Sequence, residues 1–188
     1  MTYTVTSGPA SEPLTTSEAK NWLKVDASTD DTLIDSLIKA ARIYAERYTG
    51  RALYTQTIKE YYDCWDSVLR LSFSPVQSIT SVKYLDTSGV LQTVDSSDYT
   101  TDLISRPARI APNPDYSWPT LGAYPNAVEV TYVAGATTTG AIPDTIKTAM
   151  LLIIAFWYEN REDIPISGSN DPKIRSAHTL LHLEKIFH

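Results

Sequence analysis

Residues 149–158, AMLLIIAFWY, are ten apolar side chains in a row. A water-soluble chain can accommodate such a run in only a few ways. Crossing a bilayer takes about 20 residues, so the run is too short for a membrane span and must be covered by protein. Just upstream, Ile142-Pro143-Asp144 opens a helix: proline fits the first turn and Asp144 suits its positive end. The pattern predicts a helix over 143–160. Ile146, Met150, Ile153 and Trp157 mark one stripe, with Ala149, Leu152 and Phe156 beside it. Leu151, Ile154, Ala155 and Tyr158 extend the apolar coat almost all the way round. A helix that is apolar on every side is buried on every side. Leaving a few of these side chains in water would forgo about 1.5–3 kcal/mol each, against a typical domain stability of about 5–15 kcal/mol. The cover comes from the same chain or from a neighbouring subunit, and the sequence leaves both open.

Three more helices are expected. LTTSEAKNWLKV carries Thr15 and Glu18 at capping-box spacing and predicts a helix over 15–25. A second, over 30–49, has Ser28 to Asp31 at its start and apolar residues at Leu33, Leu37, Ala41, Tyr44 and Tyr48, widened by Ile34, Ile38 and Ala45. Gly50 sits where a left-handed residue ends a helix. DPKIRSAHTLLHLEKIF, with Asp171 as cap and Pro172 in the first turn, predicts the last helix over 172–187.

From Arg51 the period changes. LYTQTIKEYYDCW, VLRLSF, SITSVKYLD, VLQTV, DYTTDLI and AVEVTYVAG are rich in Thr, Tyr, Ile and Val and partly alternate. DTSG at 86–89 makes 79–94 a β-hairpin. Residues 106–126 hold five prolines and predict a loop or broken edge. The fold class is therefore α+β: a helical bundle of two N-terminal and two C-terminal helices, interrupted by an antiparallel β region. Its expected divisions are a flexible arm at 1–13, a helical core from 14–50 with 142–163, an inserted β region at 51–141, and a linker with C-terminal helix at 164–188.

Signatures of chemistry are sparse. There is no glycine-rich phosphate loop and no G-x-S-x-G, and all three histidines fall in the last eleven residues. His178 and His182 share a helical face but lack an aligned third ligand, Glu184 included. The acidic groups Asp30, Asp31 and Asp35 suit a helix start. Asp95, Asp98 and Asp102 flank a turn and lack a calcium-loop pattern. The single cysteine, Cys64, excludes an intrachain disulfide and reads as a small buried hydrophobe. No catalytic residue, metal site or cofactor is expected. The net charge of −6 argues against a protein that grips DNA phosphates, but not against one through which DNA passes. The start, MTYTVTSGPASEP, has no basic opening and no apolar segment of signal-peptide length, which predicts a cytoplasmic product.

Several stretches, in order, resemble one family. PLTTSEAKNWLKVDASTDDTLIDSLIKAARIYAERYTGRAL looks like the N-terminal signature of the head–tail connector proteins of tailed bacteriophages. YLDTSGVLQTV…DYTTD, Trp118-Pro119, VEVTYVAG and IPDTIKTAMLLIIAFWYENRE resemble later parts of the same family, so the likeness covers roughly 13–163. The resemblance implies a structural adaptor of the virion, made in the host cytoplasm. Such proteins form a ring, usually of twelve subunits, beneath the capsid portal. They extend the DNA channel and offer a surface to the stopper or tail. Gene transfer agents use similar proteins.

On this view Leu151, Ile154, Tyr158 and Arg161 are candidates for a subunit interface. Ile174, Ala177, Leu181 and Phe187 are candidates for docking on the portal. A partner loop would use Tyr116, Trp118 and Tyr124. The competing reading is a β-rich binding module that recognises a glycan or host surface through loop 106–126.

Overall fold

The computed structural model describes residues 2–160 and 171–187. The chain is α+β, with helices flanking a central antiparallel β region in sequence. Two compact units emerge. A β unit takes Thr55–Gly135 with the N-terminal strand and Phe187, and a helical unit takes Ser11–Tyr54 with Ala136–Ile186.

In the helical unit, α1 (Thr16–Leu23) starts on a complete capping box. Thr15 Oγ1 accepts from the Glu18 N–H, and the Glu18 carboxylate accepts from the Thr15 N–H at 2.7 Å. Those bonds, the backbone one first, hold the Glu18 carboxyl below its ordinary pKa. Helix α2 (Asp31–Thr49) ends on Gly50 at φ 69°, whose N–H bonds back to Glu46 O. Its expected N-cap behaves differently. Asp30 makes no side-chain cap, and its carboxylate accepts the Tyr158 hydroxyl instead. Helix α3 (Asp144–Glu159) is the apolar helix, and α4 (Pro172–Leu183) begins with Asp171 accepting from the Lys173 N–H at 2.7 Å. α4 stops four residues before the expected end at 187. Residues 184–186 turn back, with Glu184 clamped by Arg51 and Thr145 and the Ile186 N–H bonded to Thr49 O.

Helix α3 lies at the centre. Ala19 of α1, Ile34, Ile38, Ala41 and Ala45 of α2, and Ala177 and Leu181 of α4 close over Ile146, Ala149, Met150, Ile153 and Ile154. No large apolar side chain of α3 is exposed. The cover that the ten-residue run demands therefore comes largely from its own chain, because α4 supplies a face that α2 alone leaves open.

The β unit holds β1 (Thr2–Ser7), β2 (Gln56–Tyr62), β3 (Leu69–Arg70), β4 (Val76–Leu85), β5 (Leu91–Thr93), β6 (Tyr99–Asp102), β7 (Arg109–Pro112) and β8 (Val128–Ala134). Five strands form an antiparallel sheet in the order β1-β2-β8-β4-β5, and three form a second in the order β3-β7-β6. Alternation sets the buried face. Ile58, Glu60 and Tyr62 on β2, and Val128, Val130, Tyr132 and Ala134 on β8, are buried while their neighbours are half-exposed.

Two strands were not expected. Residues 2–7, read as part of a loose arm, pair with β2 from Thr2↔Tyr61 to Ser7↔Thr57. Their run TYTVTS is β-branched and aromatic, and Tyr3 sets its ring edge-on to Phe73 at 4.8 Å. Within the proline-rich stretch, β7 is the middle strand of the small sheet, and Ile110 is fully buried there. Pro107 lies before the strand and Pro112 is its last residue, paired with Tyr99. Cys64 is exposed just beyond β2, not buried in a strand.

Candidate interaction surfaces

The expected subunit-interface residues divide by exposure. Ile154 is fully buried inside the helical unit. Leu151 and Tyr158 are half-buried, the latter held by its bond to Asp30. Arg161 lies outside the described residues. Leu151 still reaches the surface, where it lines a hollow with Leu14, Glu18, Asp144 and Trp22. Trp22 is 46% exposed, a large side chain to leave in water.

The expected docking residues divide likewise. Ala177 and Leu181 are fully buried in the helical core and Ile174 packs against it. They help cover α3 and are not displayed. Phe187 is exposed, and so is Leu183 at the end of α4, which the amphipathic pattern did not single out.

The aromatic loop folds onto itself. Trp118 stacks on Trp65 with ring centroids 4.4 Å apart and planes 8° from parallel. Each indole N–H is spent on a backbone carbonyl, Trp118 on Asp66 and Trp65 on Pro119. Tyr116 meets Trp118 edge-on. Tyr124 lies close over Gly122, where a Cβ would meet its ring at 2.6 Å, so only glycine fits beneath it. Of the three, Tyr124 alone is exposed. One face of Trp118 and its only polar atom are thus already engaged, leaving little of it for a sugar.

A surface that the sequence reading did not isolate lies on the outer side of α2. Ala40, Ile43, Tyr44, Arg47 and Tyr48, with Trp157 of α3, line a cleft of about 560 Å³. Ile43 is 42% exposed. The cleft floor is stiff. His178 stacks on Tyr44 and Tyr48 at 5.9 and 5.5 Å, its Nε2 is hydrogen-bonded to the Tyr44 hydroxyl, and Trp157 stands edge-on to Tyr44. Burial raises the Tyr44 phenol above its ordinary pKa. His178 is thereby part of an aromatic stack, while His182 is exposed on the next turn. The signal for this cleft is present in the sequence, in the α2 stripe that runs through Tyr44 and Tyr48.

Polar groups inside the β unit serve structure. Glu60 is fully buried. Its carboxylate accepts from the Tyr132 hydroxyl at 3.0 Å and from the Ser72 N–H and hydroxyl. Burial first, and then the Glu60 charge, push the Tyr62 and Tyr132 phenols far above their ordinary value. On the surface, Asp102 accepts from Ser105 and Arg109, which hold its carboxyl well below the usual range. Among the described residues no group of three or more His, Cys, Asp or Glu is placed to hold a metal ion, and no helix is long and apolar enough to cross a membrane.

Comparison with known proteins supports this fold. No curated protein matches the chain. The solved structures similar to it include chains of gene transfer agent (GTA) particles. One, from the neck of an empty GTA particle computed with C6 symmetry, has a TM-score of 0.80 at 19% identity, covering 100% of this chain and 97% of that one. Another, from the virion of a native gene transfer agent, has a TM-score of 0.79 at 20% identity with the same coverage. A third, from the neck of a native GTA particle computed with C12 symmetry, has a TM-score of 0.75 at 21% identity, again over 100% and 97%. At these identities the likeness establishes the fold. The family description "head completion protein" matches residues 12–176. That span takes in both units, and the chain belongs to the head completion protein family, with the structural role of a head–tail connector.

Proposed function

We propose that this chain is the subunit of a connector ring at the head–tail junction of a virion or gene transfer agent. The ring sits under the portal, extends the DNA channel and offers its far side to the stopper or tail. The family match over 12–176 carries the reading. It is supported by a fold shared along the whole chain with proteins of GTA necks, one of them computed with C12 symmetry. The surfaces fit the role: apolar patches for partners, and a net charge of −6 that leaves a passing duplex mobile.

Docking on the portal falls to the end of the chain. Leu183 and Phe187 are its exposed apolar side chains, 72% and 66% accessible. Ile174, Ala177 and Leu181 hold α4 to the core. Deleting 172–188 would strip the core, so point variants are the better test. Leu183→Ser with Phe187→Ser should leave the fold intact and weaken binding to isolated portal; unchanged affinity rejects this docking site. For the function as a whole, electron microscopy of particles made without the gene should show DNA-filled heads lacking tails. Normal tailed particles would sink the reading.

A further inference from the structure

The helical unit carries two exposed aromatic features on separate faces, sharing no lining residue. One is the α2 cleft, apolar along Ala40, Ile43, Tyr44, Tyr48 and Trp157. Its rim is cationic: Arg47 lines it, and Lys185 stands over the Tyr48 ring at 5.4 Å. The other is Trp22 on α1, beside the half-buried Leu151, where Asp144 is paired with Lys147 and the Glu18 carboxylate leaves one net negative charge. A cleft with a positive rim and an indole in a negative setting complement each other in charge.

We propose that these faces meet between copies: Trp22 of one subunit enters the α2 cleft of the next. This rests on the ring reading above and assigns its contact. A closed ring needs two different, mutually complementary patches on each subunit, which is what the helical unit offers. Trp, Tyr and Arg are the residue types that dominate binding energy at protein interfaces. Arg47 at the rim supplies a guanidinium to lie over the incoming ring. The cleft walls are fixed by the Tyr44–Tyr48–His178 stack, so little freedom is lost on docking. Leu151 then reaches an interface as neighbour to Trp22, while Ile154 stays in the core.

The test places cysteines beside the contact without removing it. Asn21 lines the Trp22 hollow and Ala40 lines the cleft, and both are exposed. In a Cys64→Ser background, Asn21→Cys with Ala40→Cys is treated with a short bismaleimide, as concentrated protein and in assembled particles. The expected result is a ladder of covalent multimers, because every copy carries both halves, and no ladder from either single-cysteine variant. Multimers seen by sedimentation or in particles that give no ladder overturn this contact and leave the ring standing. A ladder from a single-cysteine variant also overturns it, since like would then be meeting like. Absence of any multimer, in solution and in particles, overturns the ring as well. As a second measurement, Trp22→Ala and Ile43→Ser should each weaken self-association by about tenfold or more at unchanged helix content; unaltered association rejects the contact.

Discussion

A buried carboxylate shows how much single side chains decide here. Glu60 faces the core of the β unit, where an uncompensated charge is costly. It is kept there by Ser72 and Tyr132, residues far from it in the chain. Its place on the inner face follows from the alternation of β2, but its partners could not be read from sequence because they depend on how the chain folds back. The same holds for Trp65 and Trp118, which stack across 53 positions of chain although only Trp118 was suspected of a role. Local signals were legible: the Thr15–Glu18 box and the Gly50 cap depend on neighbours three or four residues away. Two predictions concern Glu60. Glu60→Ala leaves the Tyr132 hydroxyl and the Ser72 N–H without this acceptor and should lower stability by about 2–4 kcal/mol, read from the urea midpoint. The second is a pH dependence. Tyr62 and Tyr132 have folded-state pKa values raised above the unfolded value of 10.0, so the folded chain holds their protons more tightly. Their contribution is intact below pH 10.0 and is lost as pH rises beyond it. Alkaline titration should therefore show phenolate absorbance from these two residues appearing together with unfolding; ionisation in a chain that stays folded would contradict it.

Among elements, α3 was the most legible and the most misleading. Its helical form and near-complete burial follow from ten apolar residues after a proline start. What covers it does not, because an apolar surface is indifferent to whether its partner belongs to the same chain. The answer lies in α4, whose apolar side, with Ile174, Ala177 and Leu181, is visible in the sequence but reads equally as a surface for another protein. β7 was hidden for another reason. Proline density is a fair sign of a loop, yet the four residues Arg109–Pro112 form a short strand, with Ile110 and the preceding Ala108 buried. β1 was missed because a polar, Thr-rich edge strand has little apolar signal. The consequence for α3 can be measured. Ile154→Ala should cost about 2–5 kcal/mol in unfolding experiments, as expected for a fully buried position. Leu151→Ala, half-buried at the rim of the Trp22 hollow, should cost clearly less. Equal costs would mean that Leu151 is as deeply packed as Ile154.

At the scale of the molecule, charge and fold have to be read together. A connector that lines a DNA path must let the duplex slide, and tight phosphate contacts would brake it. Sixteen basic residues stand against twenty-two acidic ones. Several of the basic ones are already committed: Arg42 to Glu12 and Glu46, Arg51 to Glu184, Lys59 to Glu129, Arg109 to Asp102. Pairing of this kind offsets cations without removing them from the sequence, so the count in the sequence overstates the positive charge on offer. Non-specific DNA binding arises from displaced counterions and reaches dissociation constants of about 10⁻⁴–10⁻⁶ M in proteins built for it. The purified chain should fall short of that range. Fluorescence anisotropy with a labelled duplex at physiological salt should show no binding at protein concentrations up to about 100 μM. Lowering the salt should produce at most a weak signal, since acidic residues outnumber basic ones. Micromolar binding with a steep salt dependence would mean that a basic surface grips the duplex, and the picture of a conduit through which DNA slides freely would have to be given up.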